Sequence, residues 1–166
     1  LYLLYNILMK KSTWGPLYWY TLHCLVIHIQ DEHFTNEREN IIKMINGIIN
    51  NLPCPTCKQH AQSMLRTRKL SKIMTKKELI NQIYLMHDEV NKRLKKKQVT
   101  YDEHMELFEK VNAIKVFKMF IDMNMNDRIS INMITSKFHL KLFCETFRKY
   151  MMENSQKFVK LTSSPN

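Results

Sequence analysis

Leu52-Pro53-Cys54-Pro55-Thr56-Cys57 is the stretch around which the helices of this chain are arranged. The helical pattern before it ends at Pro53, because the residue that precedes a proline is held away from the α region. Pro55 suits the first turn of a new helix, where a backbone N–H would have no partner anyway. The stretch therefore predicts one helix that ends before the two cysteines and another that begins with them.

The rest of the 166-residue chain predicts an all-α fold. Its composition is 45% apolar, which is enough for a packed core, and apolar residues recur three and four positions apart. Thr75, followed by Glu78 three positions later, predicts an N-cap and a capping box, and Pro16 suits the first turn of the first helix. We predict helices over about 15–30, 37–50, 54–66, 76–95, 101–120 and 133–152, with a break at 31–36 and a polar linker at 122–127.

Glycine is rare in this chain. Gly15 and Gly47 are the only two, and neither belongs to a G-x-G-x-x-G or G-x-x-x-x-G-K-[ST] pattern. This excludes a Rossmann or P-loop phosphate cradle. Any nucleotide must therefore be held by side chains.

Positive charge is concentrated around the cysteines. The formal net charge is +11, and residues 58–97 hold 12 Lys and Arg against 3 Asp and Glu. Such a segment could contact nucleic acid, an acidic protein or the phosphates of a dinucleotide, or it could be the solvated ends of helices. Charge alone leaves these alternatives open.

The two cysteines suit redox chemistry. At the start of a helix, the dipole and the unpaired N–H groups favour a thiolate and lower its pKa. The i, i+3 spacing also lets the two sulfur atoms form a disulfide within one helical turn. The alternative is a zinc site with Cys54, Cys57 and His60 as ligands and either His87 or Cys24 as the fourth.

Two helical faces combine polar and aromatic side chains. His87 and Asn91 lie four positions apart on one predicted helix, and His23 follows Trp14 and Trp19 on another. Inward polar groups need hydrogen-bond partners, and a planar polar ligand would satisfy both faces at once. Core packing is the plainer interpretation of each face taken alone.

Three motifs together resemble the Erv/ALR family of FAD-dependent sulfhydryl oxidases. The family hallmarks are W-G-x-x-x-W-x-x-L-H, CxxC and H-N-x-V-N-x-x-L-x-K. In this chain they read Trp14-Gly15-Pro16-Leu17-Tyr18-Trp19-Tyr20-Thr21-Leu22-His23, Cys54-Pro55-Thr56-Cys57 and His87-Asp88-Glu89-Val90-Asn91-Lys92-Arg93-Leu94-Lys95-Lys96. Asp88 departs from the usual Asn. The resemblance covers roughly residues 12–115, and the chain looks most like the members encoded by large cytoplasmic DNA viruses.

The resemblance implies a four-helix bundle with a short fifth helix across it, followed here by a helical C-terminal extension. We predict three regions: an N-terminal segment at 1–11, whose first residues read as a fragment or a translation artefact, an FAD-binding oxidase domain at 12–120, and a helical extension at 121–166 that lies beyond the resemblance. The short apolar run at 1–9 cannot cross a bilayer as a helix, which needs roughly 20 residues, so we predict no transmembrane segment. The run has no positively charged n-region and no small-residue cleavage site, so we predict no secretory signal.

The resemblance also implies an activity. A partner thiolate would attack Cys54, Cys57 would leave and interact with the flavin, and the electrons would pass through noncovalently bound FAD to O2, giving H2O2. No metal is expected. The implied cofactor-binding residues are Trp14, Gly15, Trp19, His23, His87, Asn91, Arg93, Lys96 and Tyr101.

The implied partners follow from the same source. They are a dithiol or thioredoxin-like protein substrate, O2 and a second copy of the chain, paired through the first two helices; membrane and nucleic acid are not expected. Resemblance to viral members implies the cytoplasm of an infected cell, or the virion, as the place of action.

The remaining cysteines and the extension leave alternatives. Cys24 reads as an inert core thiol, and Cys144 reads as a small buried hydrophobe, a shuttle thiol or a cysteine that pairs between subunits. The extension could widen the dimer, cover the bundle or dock a partner.

Overall fold

The computed structural model describes residues 11–125 and 134–158. Over these ranges the regular elements are helices, apart from an isolated bridge between Ile29 and Phe158. The seven α-helices described there are α1 (Lys11–Ile27), α2 (Asp31–Asn50), α3 (Pro55–Arg68), α4 (Lys76–Arg93), α5 (Tyr101–Glu109), α6 (Ala113–Met125) and α7 (Ile134–Asn154). The predicted all-α class is confirmed.

Helix α1 is the centre of the molecule. It packs against α2, α4, α5 and α6, while α3 joins α2 to α4 on the side of the two cysteines. Its second half is buried on every side, because Thr21 through Val26 expose almost no surface. The first four helices correspond to the predicted bundle, and the short α5 packs against α1 as the fifth helix.

Two predicted breaks are wrong. Residues 31–36 are the first turns of α2, where Asp31 and Glu32 interact favourably with the helix dipole. The predicted linker at 122–127 is helical up to Met125, and its last two residues lie outside the described ranges. Both stretches are polar, and helix-terminal position explains that polarity as well as a loop does.

The predicted helix at 101–120 is two helices, α5 and α6. Asn112 caps the second one, since its Oδ1 accepts a hydrogen bond of 3.0 Å from the N–H of Lys115. Thr100 and Glu103 start the first with a reciprocal capping box. The spacing of apolar residues continues across the break, so periodicity alone predicts one helix there.

The other helix ends are close to prediction. Helix α3 starts at Pro55 as expected, and Thr75 caps α4 by accepting from the N–H of Glu78 at 3.3 Å. Pro16 is an exception, because α1 begins at Lys11 and the proline lies inside the helix rather than in its first turn.

The C-terminal extension covers the bundle. Helix α6 packs along α1, and α7 packs on α6 and reaches α2, where the ring of Phe143 lies directly over Gly47. Buried Glu37 of α2 accepts a 2.8 Å hydrogen bond from the hydroxyl of Tyr150. Of the three alternatives, covering the bundle is the one that the structure shows.

The predicted boundaries of the three regions do not coincide with boundaries in the described structure. Residues 1–10 lie outside the described ranges, and the predicted boundary between 120 and 121 falls inside α6. The division into regions therefore stays a prediction. None of the helices described is both long and apolar enough to cross a membrane.

Candidate functional site

The two cysteines lie at the N-terminus of α3. Cys54 is the N-cap, Pro55 is the first helical residue, and the sulfur of Cys54 accepts a 3.3 Å hydrogen bond from the N–H of Cys57. Cys54 and Cys57 are joined by a disulfide, with their Cα atoms 5.2 Å apart. When the disulfide opens, the same N–H and the helix dipole stabilise negative charge on the sulfur of Cys54.

A cavity of about 460 Å³ lies beside the disulfide, between α1, α3, α4 and α5. Its volume is typical of small-molecule sites, which run from about 300 to 1,000 Å³. Cys57 is part of its wall, while Cys54 is not among its lining residues. Of the two bonded cysteines, Cys57 therefore borders the cavity and Cys54 lies outside its wall.

Seven of the nine predicted cofactor-binding residues line this cavity. They come from two helices distant in sequence, α1 and α4, together with the turn that follows α4, and they are Trp14, Gly15, Trp19, His87, Asn91, Arg93 and Lys96. The other two lie just behind the wall. His23 is fully buried and hydrogen-bonds to His87 at 2.9 Å, and Tyr101 packs edge-on against the lining residue Tyr84.

The flat part of the wall is built from stacked rings. The indole of Trp19 lies over the imidazole of His87, with centroids 4.1 Å apart and planes 8° from parallel. Trp14 contacts Tyr18 edge-on at 5.3 Å, and the hydroxyl of Tyr18 donates a 2.8 Å hydrogen bond to Asn124 in α6. The aromatic residues are thus fixed in position before any ligand binds.

Gly15 leaves space on the same side. A Cβ placed on this residue would meet no atom within 4 Å, although the residue sits among the bulky rings of α1. A planar group can therefore approach the backbone of α1 closely at this point.

The rim of the cavity is cationic. Arg93 and Lys96 are exposed, and within the described ranges neither has an ion-pair partner. The chain turns there, since Lys95 has a φ of 53° and the N–H of Lys96 bonds to the carbonyl of Asn91 at 2.9 Å. Two unpaired cations at a turn suit a pyrophosphate.

Asp88, the departure from the motif, has a local partner. Its carboxylate pairs with Lys92 one turn later at 2.7 Å, and it lines the cavity as well. Lys92 is thereby occupied, which leaves Arg93 and Lys96 as the cations facing the cavity rim.

The described residues give the zinc alternative no support. Cys54 and Cys57 are bonded to each other, and Cys24 is buried in α1. Among the described residues, the side chains with metal-ligating atoms close enough to share an ion are His23, His87 and His104, a different set.

Burial raises the pKa of Cys24 to about 12 and that of Cys144 to about 11. Both are therefore inert core thiols, as expected for Cys24 and for the packing interpretation of Cys144.

Comparison with known proteins agrees with this geometry. The model of the Erv1/Alr family matches residues 16–111, which is more than half of the chain. The chain belongs to the Erv1/Alr family. This confirms the family that its three motifs resemble.

The relatives of this Erv1/Alr chain include viral proteins. It is 33% identical over 107 residues to the "FAD-linked sulfhydryl oxidase" of African swine fever virus (isolate Tick/Malawi/Lil 20-1/1983), a match that covers 63% of this chain and 89% of the relative. The protein of the same name from isolate Pig/Kenya/KEN-50/1950 is 32% identical over 96 residues, which cover 58% of this chain and 80% of the relative. No solved structure matches the chain.

The residues of this Erv1/Alr protein fit FAD. Stacked rings suit the isoalloxazine or adenine, the open space at Gly15 admits a flat group, and Arg93 and Lys96 suit the phosphates. Cys57 in the wall gives a flavin a sulfur to react with. The absence of a glycine-rich loop is consistent, since side chains supply the rings and the cations, and Gly15 supplies only open space.

Several lining residues were not predicted as cofactor contacts. His60 lies one helical turn after Cys57 and faces Glu89 at 3.8 Å, and Glu89 also pairs with Arg68 at 3.0 Å. In the sequence, the spacing from Cys57 to His60 suggests a zinc ligand and gives no sign of a cavity contact. His104 carried no signal, because α5 is needed to bring it to the cavity.

Proposed function

We propose that this Erv1/Alr protein is an FAD-linked sulfhydryl oxidase that converts protein thiols to disulfides and reduces O2 to H2O2. The single observation that carries the proposal is the position of Cys57. One sulfur of a redox-capable pair lies in the wall of a cavity that has rings, open space and cations suited to FAD. The named relatives are sulfhydryl oxidases, which supports the same conclusion.

The cysteines divide the reaction between them. A thiolate of the substrate attacks the sulfur of Cys54, the bond between Cys54 and Cys57 breaks, and Cys57 leaves as a thiolate. The second substrate thiol then displaces Cys54, which gives a substrate disulfide and leaves both cysteines reduced. Two electrons and two protons have moved from the substrate to the pair.

FAD, when bound, accepts this electron pair from the cysteines and passes it to O2, which with two protons becomes H2O2. The protein side chains prepare that transfer. We propose that Trp14, Trp19 and His87 hold rings, that Asn91 binds a polar edge, and that Arg93 and Lys96 neutralise the pyrophosphate. His23 and Tyr101 support these contacts from behind the wall, through His87 and Tyr84 respectively.

The substrate reaches the pair from outside. Cys54 is not part of the cavity wall, and Pro55 and Thr56 beside it are exposed. This arrangement suits a dithiol or a thioredoxin-like protein, which can present a thiol to Cys54 without entering the cavity.

A homodimer is part of the proposal as a prediction. Helix α1 and the Gly47 face of α2 are covered by α6 and α7, so a second copy would have to use surfaces that the extension leaves open. Light scattering on the chain, whose mass is 20.1 kDa, separates the outcomes. Twice that mass supports a dimer, and that mass alone contradicts it.

The place of action is proposed from the viral relatives. We propose that the protein makes disulfides in the cytoplasm of an infected cell, where reducing conditions call for a dedicated oxidant, or in the virion. Fractionation of infected cells with an antibody to the chain tests this, and enrichment in a secretory compartment would contradict it.

The direct test of the activity compares two cysteine variants. The purified wild-type protein should be yellow and should consume O2 when dithiothreitol is added. Cys57→Ser should keep FAD and lose more than about 100-fold in turnover, because the sulfur beside the flavin is gone. Cys144→Ala removes a buried thiol from α7 and should keep wild-type turnover.

Two results would sink the proposal. One is a colourless wild-type protein that cannot be loaded with FAD. The other is a Cys57→Ser variant that oxidises dithiothreitol as fast as Cys144→Ala does.

A further inference from the structure

Three histidines from three helices meet at the cavity. His23 comes from α1, His87 from α4 and His104 from α5. The Nε2 of His23 lies 2.9 Å from the Nδ1 of His87, and the Nε2 of His104 lies 3.2 Å from the Nδ1 of His23. The imidazoles therefore form one chain, His104 to His23 to His87, in which both nitrogens of His23 are used.

The rings of this histidine chain are held in place. Phe108 packs on both His23 and His104, with centroids 4.2 and 4.6 Å away, and Tyr84 packs on His104 at 5.0 Å. At the cavity end, Trp19 stacks on His87. With close packing on these faces, the rings cannot turn over to change which nitrogens face each other.

All three imidazoles are neutral at physiological pH. Burial lowers the pKa of His87 and of His104 to about 4, and it lowers the pKa of His23 well below its usual value. His23 exposes none of its surface and His104 only 4% of it. Each ring therefore carries one N–H and one bare nitrogen.

One proton per ring forces the hydrogen bonds to run in one direction. His23 has a single N–H, so it donates to one neighbour and must accept from the other. If His104 donates to His23, then His23 donates to His87, and His87 must carry its proton on Nε2. If the direction reverses, all three protons move to Nδ1, and the Nε2 of His87 becomes an acceptor.

The direction of the hydrogen bonds in the histidine chain therefore decides whether His87 offers a donor or an acceptor to the cavity. The Nδ1 of His87 is used by His23, so Nε2 is the nitrogen left for a ligand. Passing from one direction to the other requires one proton to enter at an end of the chain and one to leave at the other end. The histidine chain thus makes the Nε2 of His87 a donor or an acceptor, depending on whether His104 at the other end donates or accepts.

We propose that His104 is a positioning residue which donates to His23, so that His87 presents an Nε2–H donor to the FAD in the cavity. FAD offers mainly acceptors, namely phosphate oxygens, ribityl and ring oxygens and bare ring nitrogens. Of the charged groups that line this end, Arg93 and Lys96 are donors, and the carboxylate of Asp88 is paired with Lys92. The choice of direction rests on the proposed function, because it is argued from the acceptors of FAD; the hydrogen-bonded histidine chain itself does not.

The test compares two substitutions of His104. His104→Phe fills the space but cannot donate, so the direction of the histidine chain is no longer fixed and His87 can lose its Nε2 proton. His104→Gln keeps an N–H donor at this position. Long-range proton–nitrogen NMR of the FAD-free protein reads the tautomers directly, with single histidine variants used to assign the signals.

In the wild-type and His104→Gln proteins we expect Nε2–H tautomers at His23 and His87. In His104→Phe we expect His87 to switch to the Nδ1–H tautomer. The dissociation constant for FAD should rise about tenfold in His104→Phe and stay within about threefold of wild type in His104→Gln. A merely structural role for His104 would alter stability without switching the tautomer of His87.

Three results would overturn the proposal. The first is Nδ1–H tautomers in the wild type, and the second is a His104→Phe protein with the wild-type tautomer and FAD affinity. The third is stoichiometric Zn²⁺ binding by the three histidines, because the ion would occupy the nitrogens that the hydrogen bonds need. If His104→Phe does not fold, the tautomers of the wild type and of His104→Gln still decide the direction. Failure of the proposed function looks different, because the tautomers are read without FAD and without turnover.

Discussion

Gly15 and Gly47 are both helical, and their surroundings differ completely. A Cβ on Gly15 would enter open space beside the cavity, and a Cβ on Gly47 would enter the ring of Phe143. The first glycine therefore belongs to the ligand site and the second to the packing of the extension. The two offer a matched pair of Gly→Ala substitutions with opposite consequences.

Gly15→Ala should stabilise the FAD-free protein and weaken FAD binding. Alanine is favoured over glycine inside a helix by roughly 0.5–1 kcal/mol, and no atom obstructs its methyl group in the absence of a ligand. With FAD bound, the methyl group occupies space that the cofactor needs, so the dissociation constant should rise. Thermal unfolding of the FAD-free protein and FAD titration measure the two effects, and an unchanged FAD affinity would count against our placement of the cofactor.

The proposed catalytic residues can be predicted from the sequence, and the residues behind them cannot. A proline after Cys54 fixes where α3 starts, so the position of the pair follows from local chemistry. His23 and His87 are recognisable by motif, but their direct hydrogen bond depends on how α1 and α4 cross. The sequence indicates no role for His104, because nothing local distinguishes it from an ordinary helical histidine.

At the scale of helices, local signals predicted the starts of α3 and α4, whereas the predicted starts of α1 and α2 are several residues late. Thr75 and Pro55 marked α4 and α3 correctly, because capping and proline geometry act within one turn. The break between α5 and α6 was missed, since Asn112 lies within an apolar pattern that continues past it. Periodicity reports which face is buried and not where a helix stops.

Gly47→Ala should separate α7 from α2. The methyl group would overlap the ring of Phe143, and overpacking of this kind costs about 1–3 kcal/mol. Urea unfolding should show that loss, while FAD affinity stays at the wild-type value, because Gly47 does not line the cavity.

A second substitution makes the test specific. Phe143→Leu provides room for the methyl group, so the double variant should be less destabilised than the sum of the two single variants predicts. Wild-type stability in Gly47→Ala, or strict additivity in the double variant, would contradict the contact between α7 and α2.

At the scale of the whole molecule, buried neutral histidines tie stability to pH. The pKa values of His23, His87 and His104 lie below their unfolded values near 6.5, so the unfolded chain takes up protons first as the pH falls. Their contribution is complete above about pH 6.5 and is lost as the pH falls towards 4, by up to about 1.4 kcal/mol per pH unit for each histidine.

Urea unfolding of the FAD-free protein at pH 7, 6 and 5 measures this loss. We expect stability to fall between pH 7 and 5 and to fall less steeply in His104→Gln, which lacks one of the three titrating rings. Equal stability at pH 7 and pH 5 would show that the three histidines take up protons in the folded state too. They would then not be buried neutral imidazoles.

The position of the extension could not be read from the sequence. Its amphipathic helices are compatible with a dimer, a partner or the bundle itself, and the packing of α6 on α1 and the hydrogen bond between Tyr150 and Glu37 show that it covers the bundle. Long-range contacts of this kind depend on shape rather than on any local motif. The all-α class and the bundle, by contrast, follow from periodicity and from the three motifs.

The central claim is that electrons pass from the cysteine pair to a flavin beside Cys57. The most direct measurement is anaerobic: dithiothreitol is mixed with the FAD-loaded protein, and the visible flavin absorption is followed without O2. We predict rapid bleaching in the wild type and in Cys144→Ala, and persistent colour in Cys57→Ser. Bleaching of Cys57→Ser at the wild-type rate would contradict the claim, because electrons would then reach the flavin without the pair.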